Sequence, residues 1–179
     1  MNIAIVGATG NVGRRLIEVL EKKKFPIDEL FLIASSKSVG KKINFKGKEH
    51  SIHDLESFDF SSVKIAFFAA GSVIADKWAL IASQKTIVID NSKFFRMDPD
   101  VPLIVPEVNS KDLKDYKKKN IIANANCSVI PLVVALKPCM IYMKLKELLL
   151  RLINLFLVQA KNLWMNYYLR QKIFLMAKN

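Results

Sequence analysis

The stretch Ile3-Ala4-Ile5-Val6-Gly7-Ala8-Thr9-Gly10-Asn11-Val12-Gly13, close to the start of the chain, decides the fold class. Residues 2–6 form a short apolar run, glycine then recurs at every third position, and residues 14–24 carry Leu16, Ile17, Val19 and Leu20 at helical spacing. The pattern predicts a strand, a tight turn and an amphipathic helix. Residues without a Cβ let the backbone approach a diphosphate at the start of that helix, where free N–H groups and the helix dipole favour negative charge. The spacing is G-x-x-G-x-x-G rather than G-x-G-x-x-G, and a purely structural glycine turn is the alternative. Its place between a strand and a helix favours the nucleotide reading.

Working outward, strands are expected at residues 30–34, 64–70, 86–90, 103–105 and 121–123, and helices at 74–83, 110–117 and 129–136. Residues 37–57 are polar, hold Gly40 and Gly47, and suit a loop and hairpin excursion. Repeated strand–helix–strand spacing predicts an α/β fold with a Rossmann-like, doubly wound parallel sheet.

Two further stretches carry chemistry. The second strand ends in Ala34-Ser35-Ser36-Lys37-Ser38, without the carboxylate that usually holds the ribose hydroxyls of NAD. Hydroxyls and a cation suit the extra 2′-phosphate of NADP, so NADP(H) is favoured over NAD. Taken alone, Lys37 reads as a solvated loop lysine, and it is the glycine loop beside it that favours the phosphate. In Asn124-Ala125-Asn126-Cys127-Ser128, Cys127 stands at the start of a helical run, where a thiolate is stabilised and becomes a nucleophile. An inert buried thiol is the alternative.

Composition bounds the remaining classes. The chain has 179 residues, 51% hydrophobic and 25% charged, which excludes global disorder and allows a sizeable core. Two cysteines exclude a disulfide framework, and no Cys/His spacing fits zinc, so no metal is expected. The N-terminus enters a strand without a basic region or cleavage site, so a cytoplasmic location is expected. The net charge of +12 comes from Lys rather than Arg, 23 to 5, spread along the chain, and no nucleic-acid partner is expected.

Taken in order, the motifs identify a family. Residues 1–138 resemble aspartate-semialdehyde dehydrogenase through the 6–13 glycine stretch, 34–41, Asp90-Asn91-Ser92, 95–103, Val105-Pro106-Glu107-Val108-Asn109, Asn126-Cys127-Ser128 and 133–138. The resemblance implies NADPH-dependent reduction of aspartyl 4-phosphate to the semialdehyde, through a thioester on Cys127, in the pathway to lysine, threonine, methionine and diaminopimelate. It implies Arg96 at the substrate phosphate, Thr9, Gly10, Asn11 and Val12 at the cofactor diphosphate, Lys37 and Ser38 near its 2′-phosphate, and Gly71 and Ser72 against the cofactor. It also implies a homodimer for the intact family. Ala125 replaces the family's usual Pro, Val129 its Thr, and Pro131 stands where Gln is expected. An acyl-phosphate reductase for N-acetylglutamyl phosphate is the alternative within the class. A non-enzymatic membrane or partner-binding protein using a basic tail is the alternative outside it.

The expected organisation is an NADP-binding domain over 1–123, the start of a catalytic and dimer-forming domain over 124–138, and an aberrant tail over 139–179. The tail has ten Leu, no Gly, Pro or Asp, and seven basic residues against one acidic. Its longest uncharged run, residues 152–160, is too short to span a membrane. Back-translated and read one nucleotide earlier, Met140-Ile141 forces Asp, Met143-Lys144 Glu, Trp164-Met165 Asp and Met165-Asn166 Glu. All four fall where the resembled family has them, so a one-nucleotide frame change near Pro138 is expected. The chain is then a remnant that binds NADP at most and shows no turnover.

Overall fold

Strands that are apolar on both faces are covered on both faces, and that property arranges this chain. The computed structural model describes the backbone of residues 1–143 and side chains as far as residue 138. The chain divides into two units, Met1–Pro131 and Leu132–Asn179. In order come β1 (Ile3–Val6), α1 (Asn11–Lys22), β2 (Leu30–Ala34), β3 (Lys42–Phe45), β4 (Lys48–Asp54), β5 (Ile65–Phe68), α2 (Ser72–Ser83), β6 (Ile87–Asp90), β7 (Leu103–Ile104), α3 (Pro106–Asn109), β8 (Ile121–Asn124) and α4 (Val129–Met143). In the second unit, the described residues are the helical ones up to Met143. The expected tail, from residue 144 onward, lies outside the described residues.

The eight strands form one sheet in the order β3-β4-β2-β1-β5-β6-β8-β7, parallel except for the β3–β4 hairpin. The excursion expected over 37–57 therefore joins the sheet, because β4 pairs in parallel with β2 from Leu32↔Ile52 to Ala34↔Asp54. Alternation along β1 sends Ile3 and Ile5 to one face and Ala4 and Val6 to the other. The first pair meets Ile17 and Leu20 of α1, while the second shares a core with Ala75, Ala79 and Ala82 of α2. Those three alanines are fully buried at one-turn spacing, so α2 lies close on the sheet.

One expected helix differs in kind. Residues 110–117 wind as a 3₁₀ run, Ser110–Lys118, preceded by the short α3 turn. Its two large apolar residues, Leu113 and Tyr116, are three apart, and three residues per turn puts both on one edge. Both line an apolar groove with Ile104 and Ile122.

Candidate functional site

The sheet reverses its direction of growth between β1 and β5, and ligands of open α/β sheets bind at that point, beyond the carboxyl ends of the strands. The loops leaving those two strands come close because glycine is present. A Cβ on Gly7, whose φ is +87°, would lie 2.8 Å from the Ala69 carbonyl. Gly13 brings α1 down onto the same loop, since a Cβ there would lie 2.3 Å from the Gly7 carbonyl oxygen. A cleft of about 380 Å³ results, lined by Gly7, Thr9, Gly10, Ser35, Ala69 and Ala70 among others. A second cleft of about 250 Å³, sharing Ala69, runs past Val12 to Asn91 and Asn124.

The expected cofactor residues surround these clefts. Thr9 and Gly10 line the first and Val12 the second, while Asn11 is exposed at the first position of α1. Ser36, Lys37 and Ser38 form a 3₁₀ turn directly after Ser35, with Lys37 exposed and the Ser38 N–H donating to the Ser35 carbonyl at 2.8 Å. Gly71 and Ser72 follow Ala70 and open α2. Glycines that a Cβ would displace, a cleft at the switch point and a β2 terminus without a carboxylate fit a dinucleotide bearing a 2′-phosphate.

Arg96 and Cys127 lie at the neighbouring strand ends. Arg96 sits in a 3₁₀ turn after β6, half-buried, where its Nε donates to the Asn124 carbonyl at 2.9 Å and an Nη to the Asn91 carbonyl at 3.3 Å. The side chains of Asn124 and Asn91 bond across the ends of β8 and β6, Nδ2 to Oδ1 at 2.6 Å. Three residues beyond Asn124, the exposed Cys127 occupies the turn ahead of α4. Asn126 caps that helix: its Oδ1 accepts from Ser128 N at 2.9 Å, and its carbonyl accepts from Val129 and Ile130. The Cys127 thiol lies 3.8 Å from the same Oδ1. Pro131 falls in the first turn of α4, where proline is tolerated.

The sequence reading assigned no role to Asn91 or Asn124. Two Asn residues at the carboxyl ends of what become neighbouring strands were the available signal. Below the Arg96 turn, Lys119 Nζ donates to both carboxyl oxygens of Asp98, at 3.0 and 2.8 Å. That hydrogen bond holds the Asp98 carboxyl below the usual carboxylate range and raises Lys119. His50 and His53 lie on the β3–β4 hairpin, the first with Nδ1 3.1 Å from the Leu30 carbonyl and the second against Phe31 and Phe58. Among the described residues, no group of His, Cys, Asp or Glu is placed to hold a metal ion, and no helix is long and apolar enough to cross a membrane.

Fold and clefts define a dinucleotide-binding module of the Rossmann class, with an arginine bound to two asparagines that line the second cleft and an exposed cysteine three residues further along the chain. Residues 2–116 match the family model for the semialdehyde dehydrogenase NAD-binding domain, and the chain belongs to that family. It is 56% identical over 138 residues to aspartate-semialdehyde dehydrogenase of Aquifex aeolicus, covering 76% of this chain and 41% of that protein. The crystal structure of aspartate semialdehyde dehydrogenase II from Vibrio cholerae complexed with ASA superposes with a TM-score of 0.78, at 50% identity, over 79% of this chain and 46% of that one. Aspartate semialdehyde dehydrogenase with NADP from Candida albicans gives a TM-score of 0.61 at 27% identity, over 79% and 47%. The chain thus spans about two fifths of the length of the curated relatives it matches.

Proposed function

We propose that this chain supplies the cofactor cleft, nucleophile and phosphate-binding arginine of an aspartate-semialdehyde dehydrogenase. The observation carrying this reading is Arg96 held to Asn91 and Asn124, which line the cleft next to the glycine loop, with Cys127 three residues beyond Asn124, in a chain whose similar proteins bear that name. Those names favour aspartyl 4-phosphate over N-acetylglutamyl phosphate as substrate. NADP(H) is held by Thr9, Gly10, Asn11 and Val12 at the diphosphate, by Lys37 and Ser38 at the 2′-phosphate, and against Gly71 and Ser72. When bound, its nicotinamide supplies or accepts the hydride.

Cys127, as the thiolate, attacks the acyl carbon of aspartyl 4-phosphate. The carbon–oxygen bond to phosphate breaks, the phosphate leaves with that electron pair, and the acyl group stays on sulfur as a thioester. Arg96 presents a planar, permanently charged fork to the phosphate. Its Nε and one Nη are already committed to carbonyls, so its orientation is fixed before substrate arrives. In the intact enzyme, the acyl carbon would then be reduced and the carbon–sulfur bond would break, releasing semialdehyde and returning the electron pair to the cysteine; this chain, which spans about two fifths of that length, is a remnant without turnover. A cytoplasmic location belongs to this reading, and a homodimer to the intact family.

The break near Pro138 belongs to it as well. The change of composition after Pro138, to ten Leu and seven basic residues without Gly, Pro or Asp, supports a change of reading frame there. Sequencing the gene across codon 138 tests it, and codons incompatible with the shifted reading would overturn it.

The function is tested in a Cys139→Ser background with acetyl phosphate as the acyl-phosphate probe and NADPH as ligand. Mass spectrometry is expected to find acylation on Cys127, absent in Cys127→Ser, and fluorescence titration to show tighter binding of NADPH than NADH. An unmodified Cys127 would remove the nucleophile from the proposal, and equal affinities would remove the NADP preference.

A further inference from the structure

Asp90, the last residue of β6, is fully buried, and its carboxyl oxygens accept hydrogen bonds from two groups of Ser92. Oδ1 accepts from the Ser92 N–H at 3.0 Å and Oδ2 from the Ser92 hydroxyl at 2.7 Å. The same hydroxyl accepts the Phe94 N–H at 3.1 Å, at the first residue of the turn Phe94–Met97 that carries Arg96. A carboxyl group is costly to bury, and two donors from one neighbouring serine make it a local peg rather than a link to a distant element. The peg fixes the two features that aim Arg96. It sets the course of the chain through Asn91, whose carbonyl accepts from an Arg96 Nη, and it sets the start of the turn from which the Arg96 side chain departs.

We propose that Asp90 and Ser92 are positioning residues for Arg96, holding its guanidinium where it meets a substrate phosphate. This rests on the reading of Arg96 as the phosphate-binding residue. The peg acts through backbone placement: the carboxyl group orders Ser92, Ser92 orders Phe94 N–H, and the turn presents Arg96 to the Asn124 and Asn91 carbonyls. Loss of the Ser92 hydroxyl frees Phe94 N–H and leaves one Asp90 oxygen without its donor. Asp90→Asn keeps the acceptor for Ser92 N–H and reverses the polarity opposite the hydroxyl, so it loosens the turn less.

The experiment uses the full chain with Cys139→Ser, so that iodoacetamide reports on Cys127, and inorganic phosphate as the probe. The readout is the phosphate concentration that half-protects Cys127 from alkylation, measured well below each variant's melting temperature. Arg96→Lys is expected to abolish protection. Ser92→Ala is expected to raise the half-protecting concentration roughly tenfold and Asp90→Asn about threefold, as a sub-ångström misplacement does. Ser92→Thr, which keeps the hydroxyl, is expected to restore protection, and a merely structural role would change melting temperature without moving this concentration. If Arg96→Lys removes protection while Ser92→Ala and Asp90→Asn leave it unchanged, the positioning role is overturned and the phosphate role of Arg96 stands. If Arg96→Lys leaves protection intact, the reading of Arg96 falls, and the positioning role with it. Should Ser92→Ala fail to fold, Asp90→Asn alone decides, and an unchanged half-protecting concentration overturns the proposal.

Discussion

Arg96 Nε donates to the backbone carbonyl of Asn124 at 2.9 Å across 28 residues of sequence, tying the turn after β6 to the end of β8, three residues before Cys127. With the second bond to Asn91, the side chain holds carbonyls at the ends of both β8 and β6.

Arg96→Met consequently costs stability before any question of catalysis. Two half-buried carbonyls lose charged donors, and a net loss of about 1–3 kcal/mol is expected. Urea unfolding of the two chains, compared at equal m-value, measures it. A difference within error would mean that water replaces the guanidinium at no cost and that Arg96 is not part of the local architecture.

Gly13→Ala is expected to be the most damaging single methyl in the cofactor loop. The added Cβ meets the Gly7 carbonyl oxygen at 2.3 Å and the Ala8 Cα at 2.8 Å, both backbone atoms that move only with the loop. Overpacking of this kind costs about 1–3 kcal/mol, and displacement of the loop is expected to weaken NADPH binding at least tenfold, on the order of 1.4 kcal/mol. Gly10→Ala is the comparison, since its Cβ lies 3.3 Å from the same oxygen. Titration of both variants with NADPH should rank them in that order, and equal affinities would contradict the role given to Gly13.

The glycine loop shows what was legible in the chain and what was not. Residues 2–24 announce a strand, a turn and a helix because each signal is local: an apolar run, residues without Cβ, and helical spacing. The parallel alternation follows from the same kind of evidence. The attachment of the hairpin to β2 was hidden, because the pairing of Ala34 with Asp54 depends on the register of two segments far apart in sequence. The 3₁₀ winding of 110–118 was hidden as well, since Leu113 and Tyr116 at a spacing of three satisfy either helix. At the site, Cys127 could be singled out by its place before a helical run, and Arg96 only through the family resemblance of the residues around it. Asn91 and Asn124 could not, as each is an ordinary turn residue until β6 and β8 lie side by side.

Core packing under α2 is close enough to predict from one position. Ala79 is fully buried against the sheet between Ala75 and Ala82. Ala79→Leu adds three carbons where the helix already lies at alanine distance, and is expected to destabilise the chain by about 1–3 kcal/mol. Val73, on the same helix, is 83% exposed, and Val73→Leu should change little. A thermal melt of both variants checks the contrast, and a stabilised Ala79→Leu would mean that the helix rides higher on the sheet than described.

The pair Asp98–Lys119 gives a pH dependence whose sign can be worked out. Asp98 has a folded pKa below its unfolded value, mainly because Lys119 donates to it, so its contribution is present above about pH 3.9 and lost as pH falls through the lower folded value. Lys119 has a raised folded pKa because of the same bond, so its contribution is fully present below about pH 10.4 and lost as pH rises through the higher value. Lys119→Met should therefore lower stability by a constant, small amount between about pH 5 and 9, with the difference shrinking at both ends. It should also return the Asp98 carboxyl toward the ordinary carboxylate value in a carbon-detected NMR titration. An Asp98 titration identical in both chains would show that Asp100 N–H, rather than Lys119, sets it.

Cofactor preference rests on a single missing charge and can be reversed by supplying it. Ser35 follows the last residue of β2 and lines the first cleft, at the place where an NAD-binding module carries a carboxylate for the ribose hydroxyls. Ser35→Asp puts that carboxylate there, where it accepts from a 2′-hydroxyl and repels a 2′-phosphate. The expected result is a loss of NADPH affinity of roughly tenfold or more with a gain for NADH, since like charges at close range in a partly dry cleft cost more than a hydrogen bond returns. Lys37→Ala should weaken NADPH alone, because it removes a cation without creating an acceptor. Fluorescence titration of the wild-type chain and both variants with each nucleotide separates the two effects. A preference unmoved by Ser35→Asp would place the 2′-position of the ribose away from the end of β2, and the assignment of Lys37 and Ser38 would fall with it.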